Sequence, residues 1–320
     1  MKLTIQQDPT IVLDTGHSGR VYAVAFSPDG IHLLGGGEDG VRRWRLPDGP
    51  EVGKQTEMTL FAISVSRDQK WIVCGAEEGA SVCDGELREK DIEVEGTNSV
   101  MAVDVSPDST RFVTGSRAKE ASIWSISSGE RLVGPLQHDD FVTGVRFSPD
   151  GEHIATACWG TSVRVFDSHS GDEAININTI IPSRGPITPL VWSNDGQQIF
   201  ATSKDNRIRS FTVSTGSQLA ESQILEHGDI QSIALATNGK FLATYGGHTI
   251  SFLDALTLNW IGPVITDSAM TYSIALSPDS NYVMTGGDEG KIRVHNLGHI
   301  LPDVYGPFHV SIWPPFCHPH

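Results

Sequence analysis

Apolar residues recur along the chain in short runs that a polar turn interrupts. In residues 21–46, VYAVAFSPDGIHLLGGGEDGVRRWRL, two such runs flank the turn Ser27-Pro28-Asp29-Gly30. Pro suits the second position of a tight turn, Asp bonds to the nearby backbone, and Gly accepts a positive φ. Short apolar runs on both sides of such a turn predict a pair of antiparallel strands.

This turn is repeated, so it marks the unit from which the chain is built. The other six copies are Ser66-Arg67-Asp68-Gln69, Ser106-Pro107-Asp108-Ser109, Ser148-Pro149-Asp150-Gly151, Ser193-Asn194-Asp195-Gly196, Ala236-Thr237-Asn238-Gly239 and Ser277-Pro278-Asp279-Ser280. Successive copies are 39, 40, 42, 45, 43 and 41 residues apart. This spacing is close to the roughly 40–45 residues of a four-stranded propeller blade.

Each copy contains four predicted strands. The first has apolar residues at fixed positions, as in Val21, Val24 and Phe26, and the second ends in small residues, as in LLGGG. The third follows a short loop, as in VRRWRL, and the fourth is more polar, as in ERLVGPLQ. No segment keeps a period of 3.6 residues, so we expect very little helix.

These features resemble the WD-repeat β-propeller family over residues 10–297. The resemblance rests on the turn, on Gly16-His17, Gln137-His138 and Glu226-His227 ahead of first strands, and on the residue that closes each third strand. The closing residues are Trp44, Cys83, Trp124, Phe166, Phe211, Leu253 and His295. No copy contains the Trp-Asp dipeptide itself. The resemblance implies an all-β, seven-bladed β-propeller of four-stranded antiparallel blades. The style of the repeats is also similar to that of fungal proteins that couple a nucleotide-binding switch to WD repeats, which would make the chain a sensor or adaptor module.

The family braces many blades with a polar tie of His, Ser or Thr, Asp and Trp, and this tie is incomplete here. Blade one has His17, Asp39 and Trp44, but Gly35 stands where the hydroxyl would be. We therefore expect packing, more than polar bracing, to hold the blades together.

The repeats divide the chain into one propeller and a tail. The predicted blades lie near residues 17–56, 57–96, 97–136, 137–182, 183–225, 226–267 and 268–297, the last completed by 10–14. Because the last copy supplies only three strands, Thr10 to Asp14 is predicted to be its fourth, which would close the ring and remove exposed strand edges. The alternative is that residues 1–15 form a loose leader. Residues 298–320, rich in Pro, His and aromatics, are predicted to be a peripheral tail.

Composition limits the classes of partner and compartment. The formal net charge is −16, from 39 acidic and 23 basic residues, which opposes binding to nucleic acid. No apolar run is long enough to span a membrane, and the first 16 residues lack the apolar core of an export signal. The four cysteines, at positions 74, 83, 158 and 317, match no metal-binding spacing and fit a reducing compartment. We expect a soluble protein of the cytoplasm or nucleus, as a monomer or part of a larger complex.

No catalytic or cofactor motif is found. The chain lacks a phosphate loop, a GxSxG elbow and an HExxH motif, and GGGEDG at residues 35–40 ends a strand without a following helix. The tail groups His309, Cys317, His318 and His320, but Pro319 interrupts their spacing and no second Cys is near. No catalytic residue, metal site or cofactor is therefore predicted. The alternative that stays open is a propeller hydrolase or lactonase acting at the central channel.

The residues most suited to binding emerge when the copies are aligned on the turn. Five residues before the turn stand Tyr22, Phe61, Met101, Thr143, Thr188, Gln231 and Tyr272, and seven before it stand Arg20, Thr59, Ser99, Phe141, Pro186, Asp229 and Met270. The resemblance implies that both positions face the channel mouth.

The large apolar members belong to the consecutive blades seven, one, two, three and four, and we call them the apolar arc: Met270, Tyr272, Tyr22, Phe61, Met101 and Phe141. Together with Arg20 on the same face, they are the predicted site of a non-catalytic interaction scaffold or adaptor that holds a protein or peptide. The nearby acids Glu38, Asp39, Asp288 and Glu289 would suit a partner that carries Lys or Arg. The alternative is that the arc merely fills the channel.

Overall fold

Seven antiparallel sheets form a ring in the computed structural model of this chain. The structure describes residues 4–5, 11–16, 19–46, 51–55, 58–87, 90–94, 99–159, 162–177, 190–203, 205–224, 230–266 and 269–306. Each sheet contains four antiparallel strands and one sheet has an additional parallel strand, so the predicted all-β, seven-bladed propeller is confirmed. Within these residues no helix is long and apolar enough to cross a membrane.

The strands follow one another in chain order within each blade. Two N-terminal strands, β1 (Thr4–Ile5) and β2 (Ile11–Asp14), precede β3 (Val21–Phe26), β4 (His32–Gly37), β5 (Gly40–Arg45) and β6 (Glu51–Gln55) of blade one. Blades two to four contain β7 (Leu60–Val65), β8 (Trp71–Ala76), β9 (Ala80–Asp84), β10 (Lys90–Val94), β11 (Val100–Val105), β12 (Arg111–Ser116), β13 (Glu120–Ser125), β14 (Arg131–Gln137), β15 (Val142–Phe147), β16 (His153–Cys158), β17 (Val163–Asp167) and β18 (Glu173–Ile177). Blades five to seven contain β19 (Leu190–Trp192), β20 (Gln198–Ser203), β21 (Arg207–Thr212), β22 (Gln218–Glu221), β23 (Ile230–Leu235), β24 (Phe241–Gly246), β25 (Thr249–Asp254), β26 (Val264–Thr266), β27 (Thr271–Leu276), β28 (Tyr282–Gly287) and β29 (Lys291–Asn296).

The repeated turn is held by its own serine and aspartate. In blade three, Ser106 Oγ donates to Asp108 at 2.5 Å and accepts the Arg111 N–H at 2.9 Å. The Asp108 carboxylate in turn accepts the Thr110 N–H at 3.1 Å. Because both side chains bond to the backbone of the turn, the first two strands of a blade are joined at a fixed register.

The fourth residue of every turn has a positive φ, between 59° and 79°. Glycine adopts this conformation without strain and occupies it in four blades. In the other three blades the side chain at this position bonds to the turn of the preceding blade. Gln69 accepts from Ser27 Oγ at 3.5 Å, Ser109 Oγ accepts from the Asp68 N–H at 3.4 Å, and Ser280 Oγ accepts from the Thr237 N–H at 2.9 Å. We call the side of the ring that carries these turns the turn face, and the opposite side the mouth face.

Seven buried apolar clusters hold the ring together, and each combines residues of two neighbouring blades. The closest contacts occur where a glycine, fifth in the second strand, faces the inner strand of the next blade. A Cβ added there would lie within 3.0 Å of a branched side chain, so no larger residue fits without a shift. The pairs and the distances from such a Cβ are Gly36 with Ile63 (2.6 Å), Gly75 with Val100 (2.9 Å), Gly115 with Val142 (2.7 Å) and Gly286 with Val24 (2.6 Å).

Blade six replaces this glycine contact with a hydrogen-bonded tyrosine. Tyr245 holds the same position in β24, and its hydroxyl donates to the Ala269 carbonyl at 3.2 Å and accepts the Thr271 N–H at 3.0 Å. Its ring is buried, so the phenol links blade six to blade seven through two satisfied bonds.

The N-terminal strand closes the ring as predicted. β2 pairs antiparallel with β29, from Ile11 opposite Val294 to Asp14 opposite Lys291, and completes blade seven. Thr10, the first residue of the predicted segment, lies outside the described residues. An unpredicted addition is β1, which pairs parallel with β26 and gives blade six a fifth strand.

The segment after blade seven is partly integrated into the body. It forms two 3-10 helices, Leu297–His299 and Asp303–Tyr305. Ile300 and Leu301 are buried in the cluster between blades six and seven, and Tyr305 Oη donates to Asp254 Oδ2 at 3.2 Å. The expectation that everything from Gly298 onward is peripheral is therefore corrected for residues 298–305, because Ile300 and Leu301 bury apolar surface in the body. Residues 307–320 lie outside the described residues.

Individual hydrogen bonds of the polar tie are present within single blades. In blade three, Trp124 Nε1 donates to Thr114 Oγ1 at 2.9 Å. In blade four, His138 lies 2.8 Å from Thr156 Oγ1 through Nε2 and 2.8 Å from the Leu136 carbonyl through Nδ1. A carbonyl can only accept, so Nδ1 carries the proton and Nε2 accepts from Thr156. Burial disfavours the imidazolium and lowers the pKa of His138 from 6.5 to about 4, with the nearby Arg164 guanidinium adding to the effect.

The ring closure predicts a large effect of truncation. Removing residues 1–15 should lower the melting temperature by more than about 5 °C, because β2 and the buried Leu13 are lost and blade seven is left with an open edge. Removing residues 1–9 is the matched control, since it deletes β1 and keeps β2, and its effect should be smaller. If both truncated chains melt together with the full chain in calorimetry, the strand does not close the ring.

The buried histidine predicts a pH dependence of stability. Because the pKa of His138 is lower in the folded chain than the unfolded value of 6.5, the unfolded chain binds the proton first as the pH falls. Its contribution to the unfolding free energy is therefore complete above pH 6.5 and decreases toward pH 4, by about 3 kcal/mol. The measurement is the difference in unfolding free energy between the wild type and His138→Gln across this range. A difference that does not change with pH would contradict the assignment.

Candidate functional site

A β-bulge starts the inner strand in each of the six blades whose strand start lies within the described residues. In blade one, Val21 pairs with Gly37 and Ala23 pairs with Gly36, so Tyr22 between them is the extra residue. The equivalent extra residues are Phe61, Met101, Thr143, Gln231 and Tyr272. A bulge directs its extra side chain away from the regular pleat. At the position five residues before the turn, the backbone alone thus places the side chain outside the regular strand pairing. This holds for any type of side chain at that position.

Three aromatic members of the apolar arc contact one another. The ring of Tyr22 lies 5.9 Å from that of Phe61 and 5.4 Å from that of Tyr272, measured between centroids, with tilted planes in both pairs. All three side chains are partly exposed. Tilted contacts at this distance are favourable, so the three rings form one aromatic surface across blades seven, one and two.

Charged groups surround this aromatic surface. Arg20 is exposed, and its Nη1 donates to Tyr22 Oη at 3.5 Å, while Tyr22 Oη donates to Glu38 Oε1 at 3.2 Å. The hydrogen bond to Tyr22 and the nearby Tyr272 phenol raise the pKa of Arg20. Burial raises the pKa of Tyr272, which Arg20 partly opposes. Tyr272 therefore acts as a neutral hydroxyl group next to a permanent cation.

Met101 contributes to the channel more than to the outer surface. Its side chain is only 4% exposed, and Ser99 Oγ donates to its sulfur at 3.7 Å. Tyr22, Phe61 and Met101 together line a cavity of about 60 Å³ in the central channel. Met101 is thus placed with the other arc residues but offers little area to a partner.

Phe141 and Met270 lie apart from this cavity. Phe141 packs edge to face against Trp159, with 5.9 Å between the ring centroids. Met270 leaves 43% of its surface exposed, and neither residue is among the described side chains that line the cavity. The arc therefore consists of a central aromatic group with further apolar residues to its sides. Of the polar remainder, Pro186, Thr188 and Asp229 lie outside the described residues.

The predicted acidic rim is partly neutralised by the chain itself. Asp39 pairs with Arg42 at 3.2 Å, and Glu289 pairs with Arg293. Asp288 and Glu38 are exposed, the latter while bonded to Tyr22.

Several rim residues were not anticipated from the sequence. The loop of blade two adds the exposed Glu77 and Glu78, and that of blade three adds Arg117, whose guanidinium carbon lies 5.6 Å from the centre of the Phe61 ring. Alignment of the loops after the second strands would have found all three. Trp159 occupies the corresponding loop of blade four.

The channel also contains a charged pair that was missed. Asp104 and Arg146 stand two residues before the turns of blades three and four, and Arg146 Nη1 lies 3.8 Å from Asp104 Oδ1. Burial raises the pKa of Asp104, an effect that Arg146 and hydrogen bonds from Ser64 and the Phe147 backbone oppose. The sequence did contain a signal for this pair, because residues of opposite charge occupy the same aligned position in two consecutive blades.

The described residues contain no group of three or more His, Cys, Asp or Glu that could hold a metal ion. His309, Cys317, His318 and His320 lie outside them. Cys74, Cys83 and Cys158 are buried, and none of them forms a disulfide bond with another described residue. Burial raises the pKa of the Cys158 thiol to about 12, so this thiol is not a nucleophile at neutral pH.

Comparison with known proteins connects these repeats to a family. The family model "WD domain, G-beta repeat" matches residues 8–41, 90–125, 131–167 and 264–296. The Small ribosomal subunit protein RACK1 of Caenorhabditis elegans is 31% identical over 137 residues, which cover 41% of this chain and 42% of that protein. Actin-interacting protein 1 of Drosophila melanogaster is 25% identical over 296 residues, covering 89% of this chain and 48% of that protein.

A third relative is the Serine-threonine kinase receptor-associated protein of Gallus gallus, 24% identical over 216 residues, which cover 66% of this chain and 60% of that protein. The chain thus spans about half the length of these three relatives. The matched repeats agree in position with blades of the ring, and they share its period and its turn. The chain is a seven-bladed β-propeller that contains four WD repeats.

Proposed function

We propose that this propeller is a non-catalytic interaction scaffold that holds a protein or peptide at its mouth face. The observation that carries the proposal is the aromatic surface of Tyr22, Phe61 and Tyr272, which is partly exposed and is built on bulges. Aromatic residues in such central positions supply most of the binding energy in protein interfaces. The propeller ring behind them is rigid, so little order has to be gained on binding.

The relatives support a scaffold role in general terms. Their names describe a protein that interacts with actin, a protein associated with a receptor and a protein of the small ribosomal subunit. Each of these roles is an association with another macromolecule. The specific partners of those proteins are not carried over to this chain, because it matches only part of each.

The charges around the aromatic surface favour a partner with mixed polarity. Glu38, Glu77, Glu78 and Asp288 are exposed and would attract Lys or Arg side chains. Arg20 and Arg117 are exposed beside the same rings and would accept an acidic group. We therefore propose an apolar or aromatic anchor on the partner, with basic residues toward blades seven, one and two. The buried cysteines, which form no disulfide among the described residues, support a reducing compartment, in the cytoplasm or nucleus.

An enzyme acting at the channel is the weaker candidate. The described channel residues include Asp104, but its carboxylate already accepts from Ser64 Oγ at 3.3 Å and from the Phe147 N–H at 2.8 Å. A carboxylate engaged in this way is poorly placed to act as a general base. Ester or lactone hydrolysis that survives purification and is lost in Asp104→Asn would overturn the scaffold proposal.

The scaffold proposal predicts a selective loss of binding. Changing Tyr22 and Phe61 together to Ala should reduce the amount of each specific partner captured from cell extract by about tenfold or more, because buried aromatic anchors contribute a few kcal/mol. The melting temperature should fall by less than about 3 °C, since both side chains are only partly buried. The measurement is capture on immobilised full-length chain, with quantification by mass spectrometry.

The matched control is Gln231→Ala, which changes the same bulge position on the polar side of the ring. It should retain the partners, with a loss well below 1 kcal/mol as for most rim contacts, that is, less than about threefold. Equal losses in both variants would show that the aromatic surface is not the anchor. A large fall in stability of the double variant would place Tyr22 and Phe61 in the core and remove the site.

A further inference from the structure

The central channel widens toward the turn face into a cavity of about 450 Å³. All seven blades line it, and the turn residues Thr237 and Pro278 lie at its rim. Its volume falls within the range of roughly 300–1,000 Å³ that is usual for small-molecule sites. It adjoins the small cavity below the aromatic surface, but its own lining residues lie nearer the turn ends of the inner strands, whereas Tyr22 and Phe61 lie at the starts of these strands and do not line it.

The wall of this cavity is divided into a polar and an apolar half. The position two residues before each turn reads Ala25, Ser64, Asp104, Arg146, Val191, Ala234 and Ala275 around the ring. The polar side chains belong to the consecutive blades two, three and four, and the apolar ones to blades five, six, seven and one. The small apolar residues leave free space opposite the Arg146 guanidinium. The cavity is therefore amphipathic.

Asp104 is already satisfied by the protein. Its carboxylate accepts from Ser64 Oγ at 3.3 Å and from the Phe147 N–H at 2.8 Å, and it lies 3.8 Å from Arg146 Nη1. These bonds tie blades two, three and four together. The Asp104 carboxylate therefore has a structural role in the ring, and it lies next to Nη1 of the Arg146 guanidinium.

The other edge of that guanidinium is available to a ligand. Arg146 Nη1 donates to the Val103 carbonyl at 3.3 Å and to the Val145 carbonyl at 3.2 Å. Every bond that the guanidinium makes with the described residues uses Nη1, and 32% of the side chain is exposed. Nε and Nη2 form the parallel pair of donors that binds a carboxylate in a bidentate manner.

We propose that this turn-face cavity is a second binding site and that it takes a medium-chain aliphatic monocarboxylate. The carboxylate would bind the Nε–Nη2 edge of Arg146, away from Asp104. The alkyl chain would lie along Val191, Ala234 and Ala275, where it is removed from water. The site is independent of the mouth-face scaffold, so either can fail without the other.

The test is a calorimetric titration of the full chain with octanoate, with octan-1-ol as the uncharged probe. Octanoate should bind saturably, one per chain, with a Kd of roughly 0.1–1 mM for a ligand of this size. Octan-1-ol should bind at least about tenfold more weakly, because it lacks the charge that Arg146 recognises.

Two variants locate the binding. Ala234→Leu fills the apolar half without touching the charged pair and should weaken octanoate binding by about tenfold or more. Ala275→Leu repeats the test from the neighbouring blade, in case the first change alters folding, which the melting temperature reports. The control Phe61→Ala, on the mouth face, should leave octanoate binding unchanged.

Three results would overturn the proposal. The first is no saturable binding up to about 10 mM octanoate. The second is equal affinity for octan-1-ol, which would mean that Arg146 plays no part. The third is unchanged octanoate affinity in both filled variants when they melt like the wild type.

Discussion

The close contact between neighbouring blades is the constraint on which the rest of this propeller depends. At four of the seven interfaces a glycine of the second strand lets a branched side chain of the next blade approach to a distance that no Cβ would permit. The contact between Gly286 and Val24 joins the last blade to the first, so the same packing rule operates across the closure. Blade six makes its close contact with blade seven in a different way, because the Tyr245 hydroxyl accepts a hydrogen bond from the Thr271 N–H. Dispersion contacts of this density explain how blades with only partial polar bracing can form a rigid ring.

The rigid ring determines what the two faces can do. Six inner strands begin with a bulge, and the extra residue takes no part in the regular strand pairing. Its side chain can therefore vary without a change in the ring, from Thr143 to Tyr22. On the opposite face the turns contact one another, and the residue at positive φ either is glycine or bonds to the preceding turn. Structural requirements thus concentrate on the interfaces and the turns, and they leave the channel ends free for binding.

The fold was predictable because its determinants are local and repeated. The turn recurs with the period of a blade, and a last copy with three strands predicts the pairing of β2 with β29. The short strand β1 was not predictable, because two residues carry no periodicity. The burial of Ile300 and Leu301 was missed for a related reason, since the residues that cover them lie far away in the chain. The alignment grouped Tyr22, Phe61 and Tyr272, whose rings contact one another, but it did not reveal the bulge on which they stand. Likewise the pairing of Asp104 with Arg146 becomes visible only when the blades are arranged in a ring.

The central claim is that the mouth face holds the partner, and site-specific photocrosslinking tests it most directly. A photoreactive phenylalanine analogue placed at Phe61 should give abundant crosslinks to partner proteins in cell extract. The same analogue at Leu219, which is 55% exposed on the outer strand of blade five, should give far fewer. Leu219 is more exposed to solvent than Phe61, so a higher crosslinking yield at Phe61 reports the binding surface and not accessibility. Crosslinks to the same partners that are equal at the two positions, or stronger at Leu219, would contradict the account.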